Sequence, residues 1–455
     1  MKYVSTRGGV EPQAFQDAVM MGMAADGGLL VPESFPQVED KLEFWKTLSF
    51  KDLAFEIISL FATDIPAEDL KVIIDKSYST FRAEEVTPAV ELKDFDVLEL
   101  FHGPTLAFKD VALQFLGNVF QYILEKRDQQ LNIIGATSGD TGSAAIYGVR
   151  GSERIRIFIM HPHGRTSELQ RLQMTTVLDE NVHNIAIEGT FDDCQALMKS
   201  CFNDAEFKND YDLGAVNSVN WARILAQVVY YFYNRLRLPD DEPVSYCVPT
   251  GNFGDIFAGF VAKKMGLPIN KLIVATNENN ILEQFFNTKE YKRGDVHFTV
   301  SPSMDIQVSS NFERYLYYVV GEDAGRCTEL MKDFTEKSYL DLRDLEDVSS
   351  GCFLAMSGAK AETLKQIKET WMDEGYLLDP HTAVAAYVAK KLKLEGRTVV
   401  LSTAHPAKFP AAIKEAVGED IARHDVLEKI KGLDNHFDIL ANDYEALKAF
   451  MKAKQ

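Results

Sequence analysis

Lys109 is the side chain best placed in this sequence to act as an amine nucleophile. It stands in DVLELFHGPTLAFKDVALQFLGNVFQYILEK. The apolar residues 97–101 predict a strand, Gly103 and Pro104 a turn, and the following residues a long helix that Lys109 opens. Val111, Phe115, Val119 and Ile123 recur at a spacing of four, which predicts one buried helix face. Lys109 therefore falls just past the carboxyl end of a strand, where ligand crevices form in open α/β sheets. A positive charge at a helix N-terminus opposes the helix dipole. A destabilised ammonium loses its proton more easily, which suits a nucleophilic amine. Taken alone, a lysine at a helix start also reads as a solvated surface residue.

Three further loops hold groups that complement an amine. The first, ATSGDTG (residues 136–142), follows an apolar strand and opens a helix. Its backbone N–H groups and the hydroxyls of Thr137, Ser138 and Thr141 suit a carboxylate, although the same residues make an ordinary N-cap turn. The second, PTGNFGD (residues 249–255), brackets Asn252 and Phe253 between Gly251 and Gly254. Such a loop wraps a phosphate with main-chain N–H groups. It carries neither a G-K-[ST] nor a G-x-G-x-x-G pattern, so it fits a mononucleotide-like or phosphorylated cofactor, and taken alone it reads equally as a turn kept for packing. The third, LSTAHPAKFP (residues 401–410), supplies Ser402 and Thr403 as hydroxyls and Lys408 and His405 as cationic candidates, although His405 taken alone reads better as a hydrogen-bonded turn histidine. An amine, a phosphate cradle, a carboxylate clamp and a hydroxyl at a strand end are the parts needed to hold pyridoxal phosphate and an amino acid.

The elements that position these groups alternate regularly. LNIIGA, IRIFIMHP, NVHNIAIEG, SYCVP, KLIVAT and RTVV read as strands, and helical patterns follow most of them. Thr190 and Asp193 form a plausible N-cap pair. Repeated βα units of this kind imply an α/β fold with mainly parallel sheets covered by helices. Residues 1–88 differ. LEFWKTLSFKDLAFEIISLFA and AEDLKVIIDKSYSTF carry helical spacing, so this part reads as an added, mostly helical N-terminal domain ahead of a catalytic region, residues 89–455. STRGG and AADGGLLVP are Gly-rich turns within it. Residues 291–307 read as an irregular loop near the site.

The 455 residues carry a net charge of −20, with 46% hydrophobic and 25% charged. That balance is ordinary for a globular protein and disfavours nucleic-acid backbones and acidic membrane surfaces. An anionic substrate then needs local cations. The five cysteines form neither C-x-x-C pairs nor metal-ligand spacings, so they read as free thiols of a reducing, cytoplasmic setting. The N-terminus lacks a signal-peptide pattern, and no apolar run has membrane-spanning length.

STRGG, FHGPTLAFKD, ATSGDTG, HPHGRTSELQ, NSVNWAR, PTGNFGD, VSSNFER and STAHPAKF together resemble threonine synthases of the longer type, across essentially the whole chain. The resemblance implies the tryptophan synthase β-like fold (fold type II of the pyridoxal-phosphate enzymes), with a larger cofactor-binding domain and a smaller mobile α/β subdomain at about residues 110–215. It implies Lys109 as the Schiff-base lysine. Gly251, Asn252, Phe253 and Gly254 would bind the cofactor phosphate, and Thr403 would face the pyridine nitrogen. Thr137, Ser138 and Thr141 would hold the substrate carboxylate. Asp140 falls where related cysteine synthases carry Asn beside the cofactor ring oxygen. The implied reaction converts O-phospho-L-homoserine and water to L-threonine and phosphate, in a monomer or homodimer without a metal. Arg165, Arg223 and Arg314 are the expected contacts for the substrate phosphate, with Lys408 and His102 as weaker candidates. A phospho-lyase on the same scaffold and a non-catalytic homologue are the competing readings.

Overall fold

The computed structural model describes residues 1–454 apart from Ser138 and Glu346. Its larger sheet has six strands in the order Phe353–Ser357, Leu272–Thr276, Val244–Pro249, Arg397–Ser402, Asp96–Glu99 and Ala89–Glu91. The first five run parallel, and Ala89–Glu91 pairs antiparallel to Asp96–Glu99. Central strands such as Val244–Pro249 and Leu272–Thr276 are buried at every residue. They read as continuous apolar runs because helices cover both faces of a parallel sheet. The smaller sheet has five parallel strands, ordered Asp438–Ala441, Val182–Glu188, Ile155–Pro162, Leu131–Ala136 and Leu213–Gly214. Its edge strand thus comes from the C-terminal end of the chain.

The N-terminal part is mostly helical, with one antiparallel strand pair, Tyr3–Ser5 and Leu30–Pro32. The stretch LEFWKTLSFKDLAFEIISLFA forms two helices, Leu42–Trp45 and Phe50–Ser59. The break falls at Ser49, whose side chain accepts from the Asp52 N–H and starts the second helix. These helices share one continuous apolar core with the catalytic part. Tyr3 lies 6.1 Å from Trp221, and Trp45 lies 5.6 Å from Phe232, centroid to centroid. Each such fully buried ring contributes on the order of 2–3 kcal/mol. The turn STRGG also grips the rest of the molecule. Arg7 pairs with Glu313 at 2.8 Å, and the Thr6 hydroxyl donates to the same carboxylate at 2.7 Å.

Two helices connect this core to the site. Trp221–Arg235 is buried along its whole length. Lys109–Arg127 buries Val111, Phe115, Val119 and Ile123 as the spacing predicts, and also Ala112, Leu113, Leu116 and Phe120. All five cysteines are free and buried. Among the described residues no helix is long and apolar enough to cross a membrane.

Candidate active site

Lys109 begins its helix where the loop after Asp96–Glu99 meets the loop after Arg397–Ser402. Backbone bonds lock the two loops together: Leu100 N–H to Ser402 O at 3.0 Å, Phe108 N–H to Thr403 O at 2.8 Å, and His405 N–H to Leu106 O at 3.1 Å. The turn before Lys109 is tightened by Asp110, which accepts from the Thr105 N–H at 2.8 Å and hydroxyl at 2.7 Å. Burial pushes the Asp110 carboxyl up to about 6, against the pull of those hydrogen bonds. The Lys109 ammonium lies 5.6 Å from the Phe108 ring, and no hydrogen bond or ion pair holds it among the described residues. Burial lowers its proton affinity. Asp140 opposes that effect, while Lys408 and Arg223 add to it. Loss of solvent thus supplies the main part of the destabilisation expected from the helix dipole.

The ATSGDTG loop leads into the helix Asp140–Val149. Thr137 Oγ1 accepts from the N–H groups of Gly139 at 3.3 Å and Gly142 at 3.2 Å, so it caps this helix and keeps its own hydroxyl proton to donate. Thr141 is half-buried in the first turn. Ser138 lies outside the described residues. Asp140 is buried and faces Lys408, with Oδ1 and Nζ 2.8 Å apart. Burial would raise this carboxyl, but Lys408 and Lys109 outweigh it and hold Asp140 well below the usual carboxylate range.

Across the cleft, PTGNFGD opens the helix Gly254–Lys264. The four consecutive backbone N–H groups of residues 251–254 donate to no other group of the chain among the described residues. Phe253 adopts a left-handed φ of 62°, and its ring is buried. The carbonyls point the other way and are taken up: Ser309 Oγ donates to Gly251 O at 2.8 Å, and Asn311 N–H donates to Asn252 O at 3.0 Å. A Cβ at Gly251 would lie 2.8 Å from Ser303 O, so only glycine fits there. Ser303 is itself positioned through His381. Asp379 Oδ1 lies 2.8 Å from His381 Nδ1, and His381 Nε2 accepts from the Ser303 N–H at 3.2 Å. Thr403 is buried, and its carbonyl accepts from the Phe108 N–H beside Lys109. A cleft of about 710 Å³ adjoins Lys408, with Ser167, Gln170, Thr299 and Pro302 among its walls.

The three arginines part company. Arg223 is buried beside Lys109, donates to Asn217 O at 2.8 Å, and is lowered to about 10 by burial. Arg314 is fully buried with its guanidinium committed to the backbone: it donates to Leu30 O at 3.1 and 3.0 Å and to Val219 O, and also to Asn311 Oδ1. The bonds to Leu30 and Val219 tie distant chain segments together, so Arg314 is a structural residue and leaves the list of substrate contacts. Arg165 is exposed, with Asp193 the carboxylate that feels its charge. His102 is paired to Glu99 at 2.7 Å. Lys408, Asp110 and the Asp379–His381 pair prove more central than their sequence context suggests. The signal for the last was the N-cap pattern Asp379-Pro380-His381-Thr382.

Three family models match in succession: threonine synthase N terminus over residues 2–78, pyridoxal-phosphate dependent enzyme over residues 81–340, and threonine synthase C-terminal over residues 382–451. Threonine synthases of Schizosaccharomyces pombe and Pseudomonas aeruginosa are each 45% identical to the chain, covering 92% and 99% of it and 89% and 98% of themselves. The chain belongs to the threonine synthase family. A pyridoxal-phosphate-bound threonine synthase from Brucella melitensis superposes with a TM-score of 0.97 at 44% identity, over 100% of this chain and 99% of that one. Threonine synthases of this family are pyridoxal-phosphate enzymes of fold type II, and the residues here fit the cofactor. Four free N–H groups at a helix start suit its phosphate, and an amine without a fixed partner suits its aldehyde.

Proposed function

We propose that this chain converts O-phospho-L-homoserine and water to L-threonine and phosphate, with Lys109 as the working amine. The observation that carries this reading is the setting of Lys109: a half-buried amine that no hydrogen bond or ion pair holds among the described residues, with Asp140, Lys408 and Arg223 near enough to act on its charge. Pyridoxal phosphate, once bound, supplies an electron sink for negative charge on substrate carbon.

The protein groups divide the remaining work. The N–H groups of Gly251, Asn252, Phe253 and Gly254 would hold the cofactor phosphate, and the Thr403 hydroxyl would serve its pyridine nitrogen. Thr137, Ser138 and Thr141 hold the substrate carboxylate. Arg223 offers its remaining N–H donors to the substrate phosphate. Lys109 Nζ, easily deprotonated, carries protons between the substrate α and β carbons. Phosphate leaves from the γ carbon, and water adds at the β carbon. The smaller sheet, about residues 110–215 with the C-terminal strand, closes over the cleft and keeps water out until that step.

The test is an assay of phosphate release and amino-acid product from phosphohomoserine, with Lys109→Ala run beside the parent. Threonine from the parent and loss of turnover in the variant are expected, together with a yellow colour that borohydride removes while labelling Lys109. Threonine formation by Lys109→Ala at a near-normal rate would overturn the role of Lys109. A 2-oxo acid and ammonia in place of threonine would mark a phospho-lyase.

A further inference from the structure

The reading above uses Lys109 and leaves Lys408 without a task, although Lys408 is the most deeply buried cation beside it. The Lys408 side chain has no exposed surface, and that of its partner Asp140 is 4% exposed. Its ammonium is held from two sides, 2.8 Å from Asp140 Oδ1 and 2.7 Å from the Thr105 carbonyl oxygen. Gln173 donates to the same carbonyl at 3.0 Å, and Thr105 is fixed in turn by Asp110. A lysine so enclosed is poorly placed to follow a departing phosphate. It is well placed to hold a charge still.

The charges around Lys109 come from four elements. Asp140 opens the helix Asp140–Val149, Lys408 ends the turn Pro406–Lys408, Arg223 lies in the first turn of Trp221–Arg235, and Asp110 follows Lys109 on its own helix. His381 acts on Asp140 from a fifth, Pro380–Leu392. Asp140 pulls a proton towards Lys109, and Lys408 pushes it away. Without Lys408 the buried Asp140 would turn to the Lys109 ammonium as its counter-ion and tie up the amine.

We propose that Lys408 is a positioning residue that acts on Lys109 through Asp140. It neutralises Asp140, holds that carboxylate in place, and leaves the Lys109 amine free to react. This rests on the reading of Lys109 as the working amine.

The test reads Lys109 directly, in the full-length chain freed of cofactor with hydroxylamine so that the amine is uncovered, without turnover. Trace labelling with acetic anhydride across pH 6–11, followed by mass spectrometry of the Lys109 peptide, gives the titration midpoint of that one amine. Lys408→Met is expected to raise the midpoint by about one unit, a roughly tenfold loss of free amine at neutral pH. Asp140→Asn is expected to lower it, because Lys408 is then uncompensated. The double variant, which removes both members of the Asp140–Lys408 pair together, is expected to return to within about half a unit of the parent. Lys408→Arg keeps the charge and is expected to restore most of the parent midpoint. Opposite signs in the single variants and cancellation in the double support the proposal. One common midpoint for all the proteins, or shifts of the same sign, overturns it. If Lys408→Met does not fold, Asp140→Asn and the double variant decide alone, since a midpoint unmoved in Asp140→Asn overturns the proposal. Should Lys109→Ala still make threonine, the active-site reading fails instead, whatever these midpoints show.

Discussion

Arg223 and Arg314 look alike in sequence, each in a polar, Asn-containing segment, yet the fold gives them different work. The partners of Arg314 are carbonyls at Leu30 and Val219, 284 and 95 residues away, and no local pattern announces such bonds. Arg314→Met is therefore expected to strip two buried carbonyls of their donor, a cost of about 3 kcal/mol or more, seen as a lower melting temperature. Arg223→Met leaves one carbonyl short and is expected to act on catalysis, through a higher KM for phosphohomoserine with a smaller change in melting temperature. Asp255 makes a pH-dependent case. Burial raises its carboxyl to about 7 despite donors at Tyr230 and Tyr231. The folded form then keeps a proton that the unfolded chain releases near pH 4. The stability from that proton is complete below about pH 4 and is lost as pH rises through about 7. Asp255→Asn lacks the effect. Its stability relative to the parent is expected to improve by about 2–3 kcal/mol between pH 5 and pH 8, measured from urea unfolding of both proteins.

Helix and strand identities were largely legible, because the apolar runs and their spacing are strong in the βα units. The strand Ile155–Pro162 matches its predicted span, and Thr190 and Asp193 form the expected capping box. What stayed hidden is how elements approach each other. The helices Lys109–Arg127 and Asp140–Val149 cross at Gly117 and Gly148. A Cβ at Gly117 would lie 1.9 Å from Gly148 O. Neither glycine stands out in a sequence with 28 of them. The two helices that begin at Lys109 and Asp140 thus pack backbone to backbone here. Gly117→Ala is expected to push the helices apart and to reduce turnover and melting temperature together. Gly151→Ala is the control. Gly151 has a φ of 69° and nothing within 4 Å of an added Cβ. It is expected to lose about 1 kcal/mol of stability with turnover intact. Equal effects on turnover would show that the crossing has no special link to the site.

At the scale of the molecule, the site is divided between two sheets. The cradle of residues 251–254 and Thr403 ride on the larger sheet, while Thr137 and Asp140 ride on the smaller one. The smaller sheet is completed from afar. The strand Asp438–Ala441 pairs with Val182–Glu188, and Leu447 and Met451 of the helix Tyr444–Ala453 enter its core with Ile185, Leu197 and Phe207. Tyr444 and Lys448 each bond Asp204 at 2.7 Å. The strand Asp438–Ala441 has four residues, and its burial alternates between partial and none, so periodicity in the sequence gives little of it away. Its role follows from topology. A chain ending at residue 435 would leave Val182–Glu188 as an open edge and expose the apolar side of Phe191–Asn203. Hydrogen exchange is then expected to rise across residues 182–203 and to stay slow across residues 244–264. Turnover is expected to be lost with the smaller sheet, because Thr137 and Asp140 lose their support. Faster exchange in both regions alike would mean that the two sheets unfold as one unit, and that movement of the smaller sheet alone is not available to close the site.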